Sequence, residues 1–274
     1  MLNWTEYGGN WLLLPPRPIA IVHFLGGAFV AAAPQVTYRL LLEALAQAGY
    51  GVIATPFINT FDHEAIAEEV CRKFSMTLGQ LQRNGTLAPD LPIYGIGHSM
   101  GCKVHVLIGS TFEVERAGNI LMAFNNYPAK RSIPFLDQMI PSLNPLIKQI
   151  SPDIDLDVEF SPSPEQTLQL VDAYYGVERN LLVKFRSDTI DQTKSLAQVL
   201  ERRFPGRVNI ARLNGNHLTP VAQDVQWQAS REFSPIDAIG QWMKQEFYRD
   251  IGVLKEEVLN WMNPRPLIDL KPLR

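Results

Sequence analysis

The sequence predicts an α/β fold built on a mostly parallel sheet with helices on both faces. Short, continuous apolar runs alternate with amphipathic stretches along most of the 274 residues. Uninterrupted apolar runs are typical of strands that are buried on both faces of a parallel sheet. With 46% hydrophobic residues, the chain is also long enough to bury one large core. Strand–helix alternation of this kind predicts right-handed crossovers between parallel strands.

Six apolar runs are the predicted strands, and most of them end at glycine or polar residues. They lie at residues 19–25, 50–55, 91–96, 119–124, 180–185 and 208–213. Between them, apolar residues at helical spacing predict helices over residues 35–48, from Asp62 as N-cap to about residue 81, over 100–108 and over 192–203. Near the C-terminus two helices are predicted, one opened by Ser234 and Pro235 and the other covering residues 251–262.

One stretch, residues 126–176, breaks this alternation. It carries seven prolines among apolar residues between Pro128 and Pro164. A structureless loop of this length is uncommon inside a compact domain, so the stretch predicts an inserted cap or lid. The alternative is an irregular segment that packs on the core. The chain is otherwise predicted to be a single domain over residues 1–274, with this insertion inside it.

Composition argues against several classes of protein. The formal net charge is −3 and the Lys and Arg residues are scattered, so no nucleic-acid partner is predicted. Two cysteines, Cys71 and Cys102, make no disulfide framework, and no Cys/His cluster has metal-ligand spacing. No cofactor or metal is therefore predicted. The sequence shows neither signal-peptide features nor an apolar run long enough to span a bilayer, which predicts a cytoplasmic protein of undefined oligomeric state.

The strongest candidate for chemistry is Ser99, in the sequence GHSMG at residues 97–101. This G-x-S-x-G pattern directly follows an apolar strand and directly precedes a helix. In that setting the serine occupies a strained turn that projects its oxygen above the carboxyl edge of the sheet. Glycines on both sides remove the Cβ atoms that would clash in so tight a turn. The alternative is a tight turn in which Ser99 only caps the helix.

A serine hydroxyl is a weak nucleophile and needs a base that is oriented by an acid. His217 follows the predicted strand 208–213 on a polar loop, where the base is expected. Asp188 follows the strand 180–185 and is the preferred acid because it comes first after the strand. Asp191 remains the alternative acid, or else the cap of the next helix. The other place for an acid, after strand 119–124, holds asparagines.

An oxyanion hole would use the backbone N–H of Met100 and one donor from the loop after the first buried strand. That loop contains Gly26 and its neighbour Gly27, and the Leu25 or Gly26 amide is the predicted second donor. The glycines could equally serve only to turn the chain. His98, beside the serine, is interpreted as a structural residue.

These residues resemble the α/β-hydrolase superfamily. More narrowly, four segments are similar to the uncharacterised domain of unknown function family 1350, from cyanobacteria and plant plastids: PPRPIAIVHFLGGAFVAAAPQVTYR, GHSMGCKVH, VKFRSDTIDQT and NGNHLTP. The resemblance covers nearly the whole chain and implies a hydrolase-type sheet with a cap inserted after the sixth strand. It places Ser99, His217 and Asp188 at the nucleophile, base and acid positions. The HFLGG loop departs from the common His-Gly start.

The leading hypothesis is a serine hydrolase of carboxylic esters or thioesters, acting through an acyl-enzyme on a small hydrophobic or acyl substrate. A second hypothesis is dinucleotide binding by the glycines around Gly97, although Asn125 stands where the ribose-binding acid is expected. A third is a non-catalytic binding protein that retains a hydrolase fold. The geometry of Ser99 and His217 separates the first hypothesis from the third.

Overall fold

The computed structural model describes residues 2–28, 30–128, 159–221 and 235–262, with only the helix backbone over residues 235–247. One eight-stranded sheet organises these residues. Its strands, named here in chain order, are β1 Thr5–Tyr7, β2 Asn10–Leu13, β3 Ala20–Leu25, β4 Tyr50–Ala54, β5 Ile93–His98, β6 Gly118–Met122, β7 Asn180–Phe185 and β8 Val208–Leu213.

The spatial order of the strands is β1-β2-β4-β3-β5-β6-β7-β8. β4, β3, β5, β6, β7 and β8 run parallel to one another, whereas β2 is antiparallel to β4 and β1 is antiparallel to β2. The six parallel strands are the six apolar runs of the sequence, so the predicted sheet is confirmed. Because β5 lies inside the sheet, the residue that follows it is at the middle of the carboxyl edge.

A short hairpin, β1–β2, extends the sheet beyond the predicted strands. Its turn consists of Gly8 and Gly9, which both have positive φ angles of 58° and 74°. Glycine adopts this backbone region without a Cβ clash. The sequence-based prediction did not include this hairpin, since all three residues of β1 are exposed and carry no apolar pattern.

Helices cover both faces of the sheet. They are α1 Pro34–Thr37, α2 Arg39–Gln47, α3 His63–Arg83, α4 Met100–Thr111, α5 Pro164–Tyr174, α6 Thr193–Arg203 and α7 Pro235–Met262. Asp62 caps α3 as predicted, because its carboxylate accepts a hydrogen bond from the Ala65 N–H at 2.9 Å. The predicted helix over residues 35–48 is divided at Tyr38 into α1 and α2.

The core has two layers, one on each face of the sheet. On one face, α2 and the last turns of α7 pack on the sheet with apolar residues such as Leu41, Leu45, Leu254 and Val258. On the other face, α3, α4, α5 and α6 form the second layer. α4 is the most enclosed helix, because every residue from Met100 to Gly109 is buried. Its start is therefore held firmly where it meets β5.

The prediction of two C-terminal helices is wrong, since α7 is one continuous helix over residues 235–262. Gly252, next to the predicted boundary, lies inside this helix. A single glycine disfavours a helix by only about 1 kcal/mol. Burial of Ile251, Leu254 and Val258 against the sheet outweighs that cost.

Part of the stretch predicted as an insertion is a helix that packs on the core. Residues 164–174 form α5, which packs its buried Val171 in the same cluster as Val106 of α4 and Leu182 of β7. Residues 129–158 lie outside the described residues, so the cap or lid remains a prediction for that stretch.

None of the helices in the described part of the chain combines the length and the apolar character that crossing a bilayer requires.

Candidate active site

The turn between β5 and α4 places Ser99 in a conformation that side chains rarely adopt. Its φ is 54° and its ψ is −117°. The turn is fixed by a hydrogen bond from the Ser99 N–H to the Met122 carbonyl at 2.9 Å. Strain of this kind persists only where the surrounding structure enforces it and is common at functional sites. The serine as a whole is half-buried.

Glycines at both ends of the GHSMG sequence are required by close backbone contacts. A Cβ on Gly97 would lie 2.8 Å from the Gly101 carbonyl group, and one on Gly101 would lie 2.6 Å from the Gly26 oxygen and closer still to the Leu25 oxygen. Real Cβ atoms do not approach other atoms so closely. The turn itself is thus a sufficient reason for these glycines, without a bound dinucleotide.

His217 lies within hydrogen-bonding distance of both predicted partners. Its Nε2 is 2.9 Å from Ser99 Oγ, and its Nδ1 is 2.7 Å from Asp188 Oδ2. A neutral His217 would carry its proton on Nδ1 and donate it to the carboxylate, which leaves Nε2 to accept the Ser99 hydroxyl proton. The structure therefore brings together all three residues predicted as nucleophile, base and acid.

Local turns hold His217 and Asp188 at the ends of β8 and β7. The Asn216 N–H donates to Thr219 Oγ1 at 2.9 Å, which closes the loop around His217. The Ser187 N–H donates to the Gly215 carbonyl at 3.0 Å and joins the two loops directly. Both side chains are nearly enclosed, with 5% of the His217 side chain and none of the Asp188 side chain exposed.

The environment of Asp188 favours its carboxylate form. Burial by itself would raise the pKa of this carboxyl. The hydrogen bond and charge of His217, together with the Ile190 N–H at 3.0 Å, outweigh burial and hold the pKa below its usual value. Asp188 is therefore ionised near neutral pH and can stabilise a positive charge on His217.

Asp191, the alternative acid, is engaged elsewhere. Its Oδ1 contacts Lys184 Nζ at 2.8 Å and accepts the Thr193 N–H at 3.0 Å, while Oδ2 accepts the Thr193 hydroxyl proton at 2.8 Å. These contacts tie the start of α6 to β7. Asp188, not Asp191, accepts the hydrogen bond from His217 Nδ1–H, and this contact distinguishes the two acids that the sequence left open.

The loop after β3 lies against the serine, where the oxyanion donors were predicted. A Cβ on Gly27 would be 3.2 Å from Ser99 Cβ. Met100 is the first residue of α4, so its amide belongs to the helix turn whose N–H groups lack intrahelical partners. Leu25 is the last residue of β3 and pairs with Gly97, and Gly26 follows it.

Sequence reasoning missed one feature of this site, which is the hydrogen bonding of His98. His98 Nε2 is 2.8 Å from the His217 carbonyl oxygen, and His98 Nδ1 is 2.8 Å from the Tyr38 hydroxyl. Tyr38 lies 60 positions earlier in the chain, between α1 and α2. A contact over such a separation leaves no local pattern that could predict it.

No group of three or more His, Cys, Asp or Glu side chains that could hold a metal ion occurs within residues 2–28, 30–128, 159–221 and 248–262.

The sequence matches one family model over residues 3–264, described as "Protein of unknown function (DUF1350)". The chain belongs to the DUF1350 family. The resemblance predicted from the four sequence segments is thereby confirmed. No curated protein matches this DUF1350 chain significantly.

Several solved structures share the fold of this DUF1350 chain. The Pyrococcus furiosus esterase Pf2001 superposes with a TM-score of 0.57 at 14% identity, covering 93% of this chain and 85% of that chain. The α/β hydrolase GrgF from Penicillium sp. sh18 has a TM-score of 0.52 at 13% identity and coverages of 89% and 94%. TT1662 from Thermus thermophilus has a TM-score of 0.50 at 17% identity and coverages of 90% and 98%. The DUF1350 chain thus has the α/β-hydrolase fold.

Proposed function

We propose that this protein is a serine hydrolase that cleaves carboxylic esters or thioesters, with Ser99 as nucleophile, His217 as base and Asp188 as orienting acid. The observation that carries the proposal is the continuous hydrogen-bonded series from Ser99 Oγ through His217 to Asp188, at 2.9 Å and 2.7 Å. Such a series is what activates a serine hydroxyl on unrelated folds. A protein that only binds ligands would not need it.

In the proposed reaction, His217 Nε2 removes the Ser99 hydroxyl proton while Oγ attacks the acyl carbonyl carbon. The tetrahedral intermediate collapses as the protonated His217 gives its proton to the departing alcohol or thiol. Water then attacks the acyl-enzyme while His217 takes a proton from that water. As the bond between the acyl carbon and Ser99 Oγ breaks, His217 gives this proton to Oγ, and the carboxylic acid leaves. Asp188 keeps the His217 ring oriented and stabilises its positive charge during both steps.

The developing oxyanion needs donors that are in place before the reaction begins. We propose the Met100 amide and the Leu25 or Gly26 amide for this role. Of the two loop positions we favour Gly26, because Leu25 still pairs with Gly97 in the sheet whereas Gly26 lies beyond the strand. The lowered pKa of Asp188 also supports the proposal, since the acid must be ionised at neutral pH.

A small hydrophobic or acyl ester is the proposed substrate class. The support is the group of apolar residues within the predicted cap, such as Phe135, Leu136 and Met139, which a cap over the serine would present to a substrate. Esters and thioesters with acyl chains of increasing length would test this part separately from the reaction type. Faster cleavage of longer chains is the expected result.

A fluorophosphonate probe tests the reaction type directly, because it reacts covalently with activated serines. We expect the probe to label Ser99, as located by peptide mass spectrometry, and we expect Ser99→Ala to abolish labelling. Ser110→Ala is a matched control on the same helix, where Ser110 only donates to the Val106 carbonyl at 2.7 Å. An unlabelled wild-type protein would contradict the proposal and favour the non-catalytic alternative.

A further inference from the structure

Three consecutive hydrogen bonds connect the loop after β3 with the loop that carries His217. The Gly27 N–H is 2.7 Å from the Tyr38 hydroxyl oxygen. That hydroxyl is 2.8 Å from His98 Nδ1, and His98 Nε2 is 2.8 Å from the His217 carbonyl oxygen. We call this series the Tyr38–His98 link. Both ends of the link lie near Ser99, since a Cβ on Gly27 would be 3.2 Å from Ser99 Cβ and His217 Nε2 is 2.9 Å from Ser99 Oγ.

The direction of each bond in the Tyr38–His98 link can be deduced from chemistry. A carbonyl oxygen only accepts, so His98 Nε2 must carry the proton that it shares with His217. Burial, followed by the charge of His217, lowers the pKa of His98 to about 3, so the ring is neutral near pH 7. Nδ1 is then an acceptor, and the Tyr38 hydroxyl donates to it. The same hydroxyl oxygen accepts from Gly27, so every group has a partner of the correct kind.

The link is shielded from water along its length. Tyr38 is fully buried, His98 is 2% exposed and His217 is 4% exposed. Burial also raises the pKa of Tyr38 well above its usual value, which keeps the phenol protonated and able to donate. Because buried hydrogen bonds face no competition from water, losing one partner leaves another group unsatisfied.

The loop after β3 is shaped around these two rings. A Cβ on Gly26 would lie 2.8 Å from the Tyr38 ring, and a Cβ on Gly27 would lie 3.1 Å from His98 Nδ1. The glycines therefore let the loop approach the rings closely. Tyr38 and His98 consequently determine where the backbone of this loop lies relative to Ser99.

We propose that Tyr38 and His98 are positioning residues, which hold the oxyanion loop and the base loop in a fixed relation to Ser99. This inference rests on the proposed function, since those two loops supply the proposed oxyanion donor and base. Neither residue contacts the reacting atoms in this role. They act through the backbone of Gly27 and the backbone of His217, where a shift of about 1 Å can slow a reaction about a hundredfold.

The decisive comparison is between Tyr38→Phe and Tyr175→Phe. Tyr175 is also fully buried, and its hydroxyl also makes two hydrogen bonds, to Asn119 at 2.7 Å and to Asn180 at 2.8 Å. Both variants lose a phenol hydroxyl and about equal stability. We expect Tyr38→Phe to slow fluorophosphonate labelling of Ser99 by about tenfold or more, and Tyr175→Phe to change it less than about twofold. Equal labelling rates would overturn the inference.

Substitutions of His98 provide a second test, which can still be carried out if the Tyr38→Phe variant does not fold. The side-chain amide of His98→Gln can still donate a hydrogen bond to the His217 carbonyl, whereas His98→Leu cannot. We expect the glutamine variant to recover part of the labelling rate that the leucine variant loses, with thermal unfolding of each variant measured alongside. If the His98 ring only filled space in the core, glutamine would not restore the labelling rate. A glutamine variant that is labelled as slowly as the leucine variant therefore contradicts the positioning role.

Nitrogen NMR of the histidine rings separates failure of this inference from failure of the proposed function. We expect His98 to be the Nε2–H tautomer across neutral pH, and the His217 Nδ1–H signal to shift in Tyr38→Phe but not in Tyr175→Phe. An unlabelled wild type with these NMR results would reject the hydrolase and leave the positioning of His217 in place. An Nδ1–H tautomer of His98, or an unchanged His217 signal, would reject the link.

Discussion

At the residue scale, Asp188 and Asp191 lie three positions apart and do different work. Asp188 contacts His217 at 2.7 Å, whereas Asp191 holds Lys184 and Thr193 at the start of α6. Both carboxylates are enclosed, so burial alone does not distinguish them. Their hydrogen-bond partners distinguish them. We therefore expect Asp188 to matter mainly for activity and Asp191 mainly for stability.

We expect Asp188→Asn to reduce Ser99 labelling by about 10³- to 10⁴-fold, because an amide donor at this position favours the wrong tautomer of His217. Asp191→Asn is the matched control. It should change labelling less than about threefold and reduce the free energy of unfolding by about 1 kcal/mol, since it weakens the contacts at the start of α6. Labelling rates and urea unfolding of both variants check this. A strong loss in the Asp191 variant would reassign the acid.

The residues at the site differ in how far the sequence predicted them. Ser99, His217 and Asp188 follow strands at fixed positions in a known order, so local patterns were sufficient to propose them. The distinction between the two acids required interatomic distances, because both residues follow β7 closely and the sequence does not show which of them contacts His217. Tyr38 could not be predicted, since its role depends on a hydrogen bond to His98 across 60 residues.

At the element scale, the close packing of α4 against the loop after β3 depends on Gly101. Its missing side chain allows the first turn of α4 to contact the carbonyl oxygens of Leu25 and Gly26. Gly252 in α7 provides the opposite case, because nothing lies within 4 Å of the place where its Cβ would be. One glycine is required by packing, and the other is only tolerated.

Gly101→Ala should therefore push the loop after β3 away from α4, destabilise the protein and slow labelling of Ser99. Gly252→Ala should instead raise the free energy of unfolding by up to about 1 kcal/mol, since alanine favours a helix more than glycine does. Thermal unfolding of the two variants, followed by labelling at a temperature where both are folded, measures these effects. A Gly101 variant as stable and as reactive as the wild type would refute the packing argument.

The elements themselves were predictable wherever burial left a pattern. β3 to β7 are buried apolar runs, and α3 shows an apolar face with a capping aspartate. β8 was predicted from its apolar residues, although Ala211 is its one buried residue. The β1–β2 hairpin was not predictable, since β1 is exposed and only its glycine turn marks it. α5 was hidden within a proline-rich stretch, where Pro164 in fact occupies the first turn of the helix and Ser163 caps it.

At the scale of the whole molecule, four buried histidines dominate the expected response to acid. Burial lowers the pKa of His63, His98 and His105 to about 3, and it lowers that of His23 well below its usual value. Nearby charges add to this, from Arg116 for His23 and His105 and from Lys103 for His63. All four rings are therefore neutral in the folded protein near pH 7.

Below pH 6.5 the unfolded chain binds protons that the folded chain excludes, so stability is lost as the pH falls. Each histidine contributes up to about 1.4 kcal/mol per pH unit in this window. We expect the free energy of unfolding to decline from about pH 6.5 to pH 5, before the lowered pKa of Asp188 has any effect. Urea unfolding across this range, with His63→Leu as a variant that lacks one such ring, measures the slope. The variant should have a shallower slope, and an identical slope would exclude His63 as a contributor.

The order of the strands in the sheet also predicts which part of the candidate site unfolds first. Ser99 follows β5, which lies inside the sheet and is buried over residues 94–98. His217 follows β8, one of the two edge strands of the described sheet, where Ile210 is 51% exposed. Partial opening of a protein starts where few apolar contacts hold the backbone. Amide hydrogen exchange should therefore be faster in β8 than in β5. Ser99 labelling should be lost at a lower urea concentration than the far-ultraviolet circular dichroism signal. Coincident curves would contradict this and show that β5 and β8 unfold as one unit. If labelling is lost first, the rate of Ser99 labelling measures the local stability of the sheet edge that carries His217, while β5 and the turn at Ser99 remain folded.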